Sequence, residues 1–373
     1  MKGTATVAGA GLAAAPASAV LSAAGGLSQA ASSRYFVYVS FQGDDRISIF
    51  TMDSATGKLA LQEHVAVDGG PAPMTIDPAK NFLYVGKRGS QEISSYRINH
   101  GTGGLSLTGT VPLQGEPVHV STDRTGRFVL SAFFYQDTVA VHAVGNDGML
   151  TFPPKEWRYT ANAAHYINTD RSNRYAFVPH VDNRGGPNAI FQFKFDEESG
   201  RLTPNAVPMC SLPKQVGPRH ICFHPTLDLV YSSDEQGNSA TAYKFDRSAG
   251  TLSPFQTIST LPDGYDETNT CSQIQISPSG RFLYVPNRGH DSIASFTIDE
   301  STGSLTATGR VPTEAVPRAF SLDPGGNFLL VSGRDSGRLA SYRVDQNNGT
   351  LTPLETYAGG SRPMWVAIID LAG

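Results

Sequence analysis

The chain has little of what would mark a secreted scaffold, a membrane protein or a nucleic-acid binder. Its 373 residues hold three cysteines, Cys210, Cys222 and Cys271, which excludes a disulfide framework and leaves at least one thiol unpaired. None stands in CxxC spacing, so no zinc ribbon or thioredoxin-type site is expected, and neither is a metal or an organic cofactor. No run of 18 strongly apolar residues exists, so no transmembrane helix is expected. Charge is also sparse: Asp, Glu, Lys and Arg make up 17%, and 29 basic against 33 acidic residues leave −4. That balance argues against a nucleic-acid partner. Helical periodicity is missing as well, which removes the helical repeat arrays.

What the chain does have is turn chemistry and enough apolar residues to fill a core. Glycine (38) and proline (24) punctuate a sequence that is 39% hydrophobic, too much for low complexity. Residues 1–33 stand apart, being rich in Ala, Gly and Ser, with Lys2 the one charge before Arg34. A basic start, a small-residue middle and the Ala17-Ser18-Ala19 site fit an export leader, the alternative being a disordered extension. A periplasmic or secreted location is expected if residues 1–33 are a cleaved leader and a cytoplasmic one otherwise, and the domain itself is expected over 34–373.

From Arg34 onward the sequence repeats. FVYVSFQGDDRI (36–47), FLYVGKRGSQEI (82–93), FVLSAFFYQDTV (128–139), LVYSSDEQGNSA (229–240), FLYVPNRGHDSI (282–293) and FLLVSGRDSGRL (328–339) superpose, and YAFVPHVDNRGGPNAI (175–190) is a longer copy. Each runs into an alternating strand and a Gly-x-Leu turn. The closing leucines, from Leu59 to Leu351, fall 46, 45, 52, 50, 53 and 46 residues apart. Four short strands per period make a propeller blade, so the expected fold is an all-β, seven-bladed β-propeller. Residues 34–66 supply three strands only. The C-terminal Arg362–Ile369 matches the inner strands elsewhere and should complete blade one, closing the ring without open edges.

Antiparallel pairing puts the residue entering an inner strand and the loop leaving the second strand on one rim. The loop column reads Gln42, Arg88, Phe134, Val181, Glu235, Arg288 and Arg334. The entry column reads Ala72, Val118, His165, Arg219, Ser272, Arg318 and Met364. Columns that swing between apolar and charged do not set a fold. His165, Arg219, Glu235 and Arg288 thus fall on adjacent blades at one opening, where a carboxylate, two guanidinium groups and an imidazole could bind an anion or catalyse. An ion-pair network that only pins the rim is the competing reading. Trp157, Trp365 and Cys222 read as packing residues.

These positions resemble the seven-bladed lactonase family, which includes propeller-type 6-phosphogluconolactonases and carboxymuconate cycloisomerases. The resemblance is sharpest in Gly217-Pro218-Arg219-His220-Ile221-Cys222-Phe223-His224-Pro225 and Asn287-Arg288-Gly289-His290-Asp291-Ser292-Ile293. It implies His165, Arg219, Glu235 and Arg288 as the catalytic set, hydrolysing a sugar lactone with Glu235 or His165 as base. Arg318 and Arg334, with Arg88 and Arg184 in reserve, would take a phosphate or carboxylate of a small anionic substrate. The chain departs from the family's Pro-His-x-His at Asn162-Ala163-Ala164-His165, and its loop 180–188 is longer and more polar. Muconate cycloisomerisation and non-enzymatic ligand or partner binding are the alternatives; a closed ring can be a monomer.

Overall fold

Each repeat folds as an antiparallel sheet because its apolar residues alternate along short strands and Asp, Asn and Gly break the chain between them. The computed structural model describes Met1, residues 3–11 and residues 34–371. Met1 and residues 3–11 form a separate unit without helix or strand, and most of the leader expectation lies outside the described residues. Residues 34–371 build seven sheets of four strand positions each, the expected seven-bladed β-propeller. Blade one takes its inner strand from Pro363–Ile369, paired antiparallel with Arg34–Phe41, so the two ends of the ring lie in one sheet. Among the described residues no helix is long and apolar enough to cross a membrane.

The core is divided among the joints between blades. Seven hydrophobic clusters occupy the seven junctions, and the junction of blades seven and one joins Phe328, Leu330 and Leu339 to Val37, Phe50 and Val366. The Gly-x-Leu turns lock the same joints. Gly57 in blade one has φ +76°, and a Cβ there would lie 2.4 Å from the Phe328 ring of blade seven. Gly103, Gly148, Gly200, Gly250 and Gly349 meet Phe36, Phe82, Phe128, Tyr175 and Phe282 of the preceding blade in the same way, and Gly303 meets Leu229.

All seven inner strands carry one extra residue near the same rim. In blade five Pro218 pairs with Asp234 and His220 with Ser233, which leaves Arg219 as the surplus. Blade seven does the same around Arg318, blade three around Val118, and blade one around Met364. In blade four, residues 165–167 face only 178–179 between the pairs Ala164–His180 and Asn168–Phe177. The inner strand of blade six is split into Thr270–Cys271 and Gln275–Ile276 by a similar slip. Such bulges twist the strand and re-aim its side chains.

The junction of blades two and three is the thinnest. Where the other blades place Phe50, Tyr96, Phe193, Tyr243, Phe296 and Tyr342, blade three has His142, and neither of its ring nitrogens finds a partner among the described residues. It is 1% exposed, and burial pulls its pKa down to about 4. The folded protein holds it neutral, while the unfolded chain binds a proton below its ordinary value of 6.5.

Two outcomes follow from these joints. His142→Phe should raise stability by about 1 kcal/mol at pH 7. That advantage should grow by about 2 kcal/mol at pH 5, because His142 loses stability as pH falls from 6.5 toward 4; denaturant titrations at both values measure it. Gly57→Ala, which meets both the positive φ and the Phe328 ring, should cost about 3 kcal/mol in the same titrations.

Candidate active site

The site is held by backbone from three consecutive blades. Glu235 follows the second strand of blade five (Leu229–Asp234), and its N–H donates to Gly217 O at 2.7 Å. Arg219 donates through Nη1 to Ser272 O at 2.9 Å, an oxygen that also accepts from Ser233 Oγ. Arg288 ends the second strand of blade six (Phe282–Arg288) and donates through Nη2 to Cys271 O at 2.6 Å. Ser272 Oγ ties this stretch to Pro317 O of blade seven at 2.7 Å. These bonds fix the guanidinium planes before any ligand arrives.

Glu235 is the hub. Its Oε2 lies 2.6 Å from Arg219 Nε and 3.1 Å from Arg288 Nη2, and its side chain is 13% exposed. Burial alone would raise its pKa, but Arg288, Arg219 and Arg318 outweigh it and hold the carboxyl below its usual range. Burial, then the repulsion of Arg288, lowers Arg219 to about 9, with Glu235 pulling it back up. Both partners therefore stay charged at neutral pH. Arg318, placed by its bulge, is pushed far down by burial and then by Arg219, Arg288 and Arg88, with Glu235 opposing. Arg88 shares a small cavity with Arg219 and Arg318 and pairs with Glu116.

His165 reaches the same group from blade four, its N–H donating to Pro179 O at 3.0 Å. Burial first, then Arg219 and Arg318, keeps the imidazole neutral, and its Nδ1 has no partner among the described residues. His165, Arg219, Glu235, Arg288, Arg318 and Arg88 are thus brought to one end of the channel. Two expected substrate ligands stand apart. Arg334 is paired with its neighbour Asp335 at 2.6 Å, beside a rim depression formed with Gly337 and Ser361. Arg184 is exposed and stacks over Tyr135 with its guanidinium carbon 5.0 Å from the ring centroid. A chain of rings links it to the cluster, Tyr135 to Phe134 at 5.0 Å and Phe134 to His165 at 5.7 Å.

Column reading missed what lies beneath. His220 packs 5.4 Å from His165 and 5.2 Å from His119, with Tyr166 and Trp365 beside them. The cause is the bulge, which the sequence pattern does not show: an entry column counts one residue per blade, whereas the surplus residue lets both Arg219 and His220 line the channel. Trp365 and Cys222, expected as packing residues, line a larger cavity of about 460 Å³ that extends along the channel away from the cluster and shares His220, Gln273 and Trp365 with the small one. Arg124 and Arg171 flank that cavity, but Arg124 Nε and Nη2 and Arg171 Nη2 are turned to the carbonyls of Asp170, Thr169 and Leu227. The guanidinium cluster is therefore the stronger candidate. His220 and His224 stand four apart, yet His224 uses both ring nitrogens on backbone at Gly280, Thr226 and Leu227. Among the described residues no group of three or more His, Cys, Asp or Glu could hold a metal ion. All three cysteines are free thiols.

Removing the hub should be felt in the fold itself. Glu235→Gln leaves two buried guanidinium groups facing each other and should cost about 3 kcal/mol at pH 7. The carboxylate's contribution is full above the ordinary glutamate range and lost as pH falls through its lowered pKa. The gap between the variant and the parent should therefore narrow as pH falls below the ordinary glutamate range, read in denaturant titrations across that series.

Comparison with known proteins places this geometry. The family model described as "Lactonase, 7-bladed beta-propeller" matches residues 14–115 and 105–368. A 6-phosphogluconolactonase of Yersinia enterocolitica is 34% identical over 333 residues, covering 89% of this chain and 98% of the relative. One from Pectobacterium carotovorum is 35% identical over 250 residues, 67% of this chain and 74% of the relative. Among solved structures, the periplasmic gluconolactonase of Pseudomonas aeruginosa superposes with a TM-score of 0.82 at 24% identity, over 91% of this chain and all of that one, a likeness of fold. With the family model spanning the ring and a relative one-third identical along nearly its whole length, the chain belongs to the seven-bladed β-propeller lactonase family.

Proposed function

We propose that this protein hydrolyses an anionic sugar lactone to its open-chain hydroxy acid, with 6-phosphogluconolactone, the substrate named by its relatives, as the leading candidate. The observation that carries the charge preference is a count within the cluster. Four guanidinium groups, Arg88, Arg219, Arg288 and Arg318, face two carboxylates, Glu116 and Glu235, and so two positive charges go unmatched. The neighbouring imidazole His165 is neutral and does not change that balance. Desolvated charge of one sign is unfavourable until a counter-charge arrives. A phosphate or carboxylate on the substrate supplies one, and the oxyanion of ester hydrolysis supplies another as it forms.

The roles follow from what each group is free to do. Arg219 and Arg288 are oriented by Glu235 and by the carbonyls of Ser272 and Cys271, and they stabilise the charge that develops on the carbonyl oxygen. Glu235 is tied to both, which commits its carboxylate and makes it an anchor. His165 contributes a neutral imidazole beside the reacting ester, able to exchange protons with its oxygens. Arg318, with no carboxylate of its own among these pairs, takes the substrate's anionic substituent, and Arg88 supports it.

Steady-state kinetics on 6-phosphogluconolactone, unphosphorylated gluconolactone and a carboxymuconate test the reading. Arg318→Ala should raise KM for the phosphorylated lactone by roughly 30-fold, equivalent to about 2 kcal/mol, and leave the neutral lactone within about threefold. Turnover of the muconate with neither lactone opened would overturn hydrolysis. Equal losses on both lactones would overturn the role of Arg318.

A further inference from the structure

Directly beneath the guanidinium cluster the channel narrows to a cavity of about 10 Å³, bordered by Arg88, Arg219, Arg318, His220 and Gln273. That is the room one water takes, and the polar partners a buried water needs are present in its walls. His220 is the side chain there with an unanswered acceptor. It is 5% exposed and its Nε2 has no hydrogen-bond partner among the described residues. The slip between Pro218 and His220 lets the imidazole face the channel immediately after Arg219. His119 at 5.2 Å, Tyr166 at 5.1 Å and His165 at 5.4 Å clamp the ring on its other sides. Burial, followed by the field of Arg219, keeps it unprotonated and its lone pair available.

The other candidates for receiving a proton from water are less well placed. Glu235 is committed to Arg219 and Arg288, and His165 does not border this cavity. We infer that His220 is a further catalytic residue, the base that takes the proton of a water held in this cavity as that water attacks the lactone carbonyl. The inference rests on the hydrolysis reading above and decides which imidazole serves it.

The chemistry balances with water as the single co-reactant. The water oxygen bonds to the carbonyl carbon while one of its protons passes to His220, and the carbonyl π pair moves onto the oxygen facing the guanidinium groups. Collapse breaks the ring C–O bond, whose electron pair stays on the ring oxygen. His220 returns its proton there, becoming neutral again, while His165 offers a hydrogen bond to the substrate. The product carboxylic acid ionises and its proton leaves to solvent.

Hydroxylamine separates this role from a packing role, because a nitrogen nucleophile attacks without a base. Wild type, His220→Gln and His165→Gln would be given the lactone in water and in hydroxylamine, and acid and hydroxamate products measured together. His220→Gln should lower kcat for hydrolysis roughly 100-fold with KM within about threefold, and shift the product ratio strongly to hydroxamate. His165→Gln should leave that ratio near wild type. The enzyme-free rates of hydrolysis and of hydroxamate formation are measured alongside and subtracted, so that the ratio reports the folded fraction and a poorly folding variant still decides the matter. An unshifted ratio in His220→Gln, or hydrolysis within about threefold of wild type, overturns the assignment. A wild-type protein that opens no lactone overturns the hydrolysis reading instead.

Discussion

One surplus residue in each inner strand is the constraint on which the rest of the channel depends. Without the slip, period-two alternation would send Arg219 and His220 to opposite faces of blade five. With it, the strand turns at its rim and presents both to the axis. The same device recurs around Val118, Arg318 and Met364. The scaffold tolerates this because its stability lies elsewhere, in the hydrophobic joints between blades. The inner strands can give up some regular pairing where the bulges fall, and carry function there.

The electrostatics of the site follow from that arrangement. Guanidinium groups on blades two, five, six and seven converge on one end of the ring, and two carboxylates are too few to neutralise them. Held apart on separate blades, and with Arg219 and Arg288 each bonded to a backbone carbonyl of blade six, these charges cannot relax away from one another. The consequence is a preorganised cluster of unmatched positive charge, and the proposed anion binding rests on it. It also keeps the nearby histidines neutral: His119, whose pKa burial and then Arg219 lower to about 3, and His165 and His220 by the same two causes. Neutral imidazoles next to a positive field are suited to taking a proton from water once an anion has offset that field.

The fold was legible because it is written seven times. A period set by Gly-x-Leu turns, strand alternation and an incomplete first repeat matched by Pro363–Ile369 each recur in plain order along the chain. Four of the site residues were legible for the same reason, since His165, Arg219, Glu235 and Arg288 are departures from columns that symmetry defines. Arg334 and Arg184 show the limit of that logic. Both occupy the right columns or loops, but Arg334 turns to Asp335 and Arg184 to Tyr135, and a column does not say which neighbour a long side chain will choose. His142 shows it again, as a column of aromatic residues is broken by a ring whose lack of partners appears only in the packed joint.

By itself, then, the order of residues determined the number of blades, the closure of the ring and which blades carry charge, because these depend on local periodicity and on repeats that can be compared directly. The tertiary structure alone decided that Glu235 lies between two guanidinium groups, that Arg318 stands without a carboxylate of its own, and that His220 faces a water-sized cavity. Those facts depend on a one-residue slip in pairing and on distances across blades more than 50 residues apart in the chain, such as Arg219 to Ser272. Neither leaves a mark in local sequence pattern.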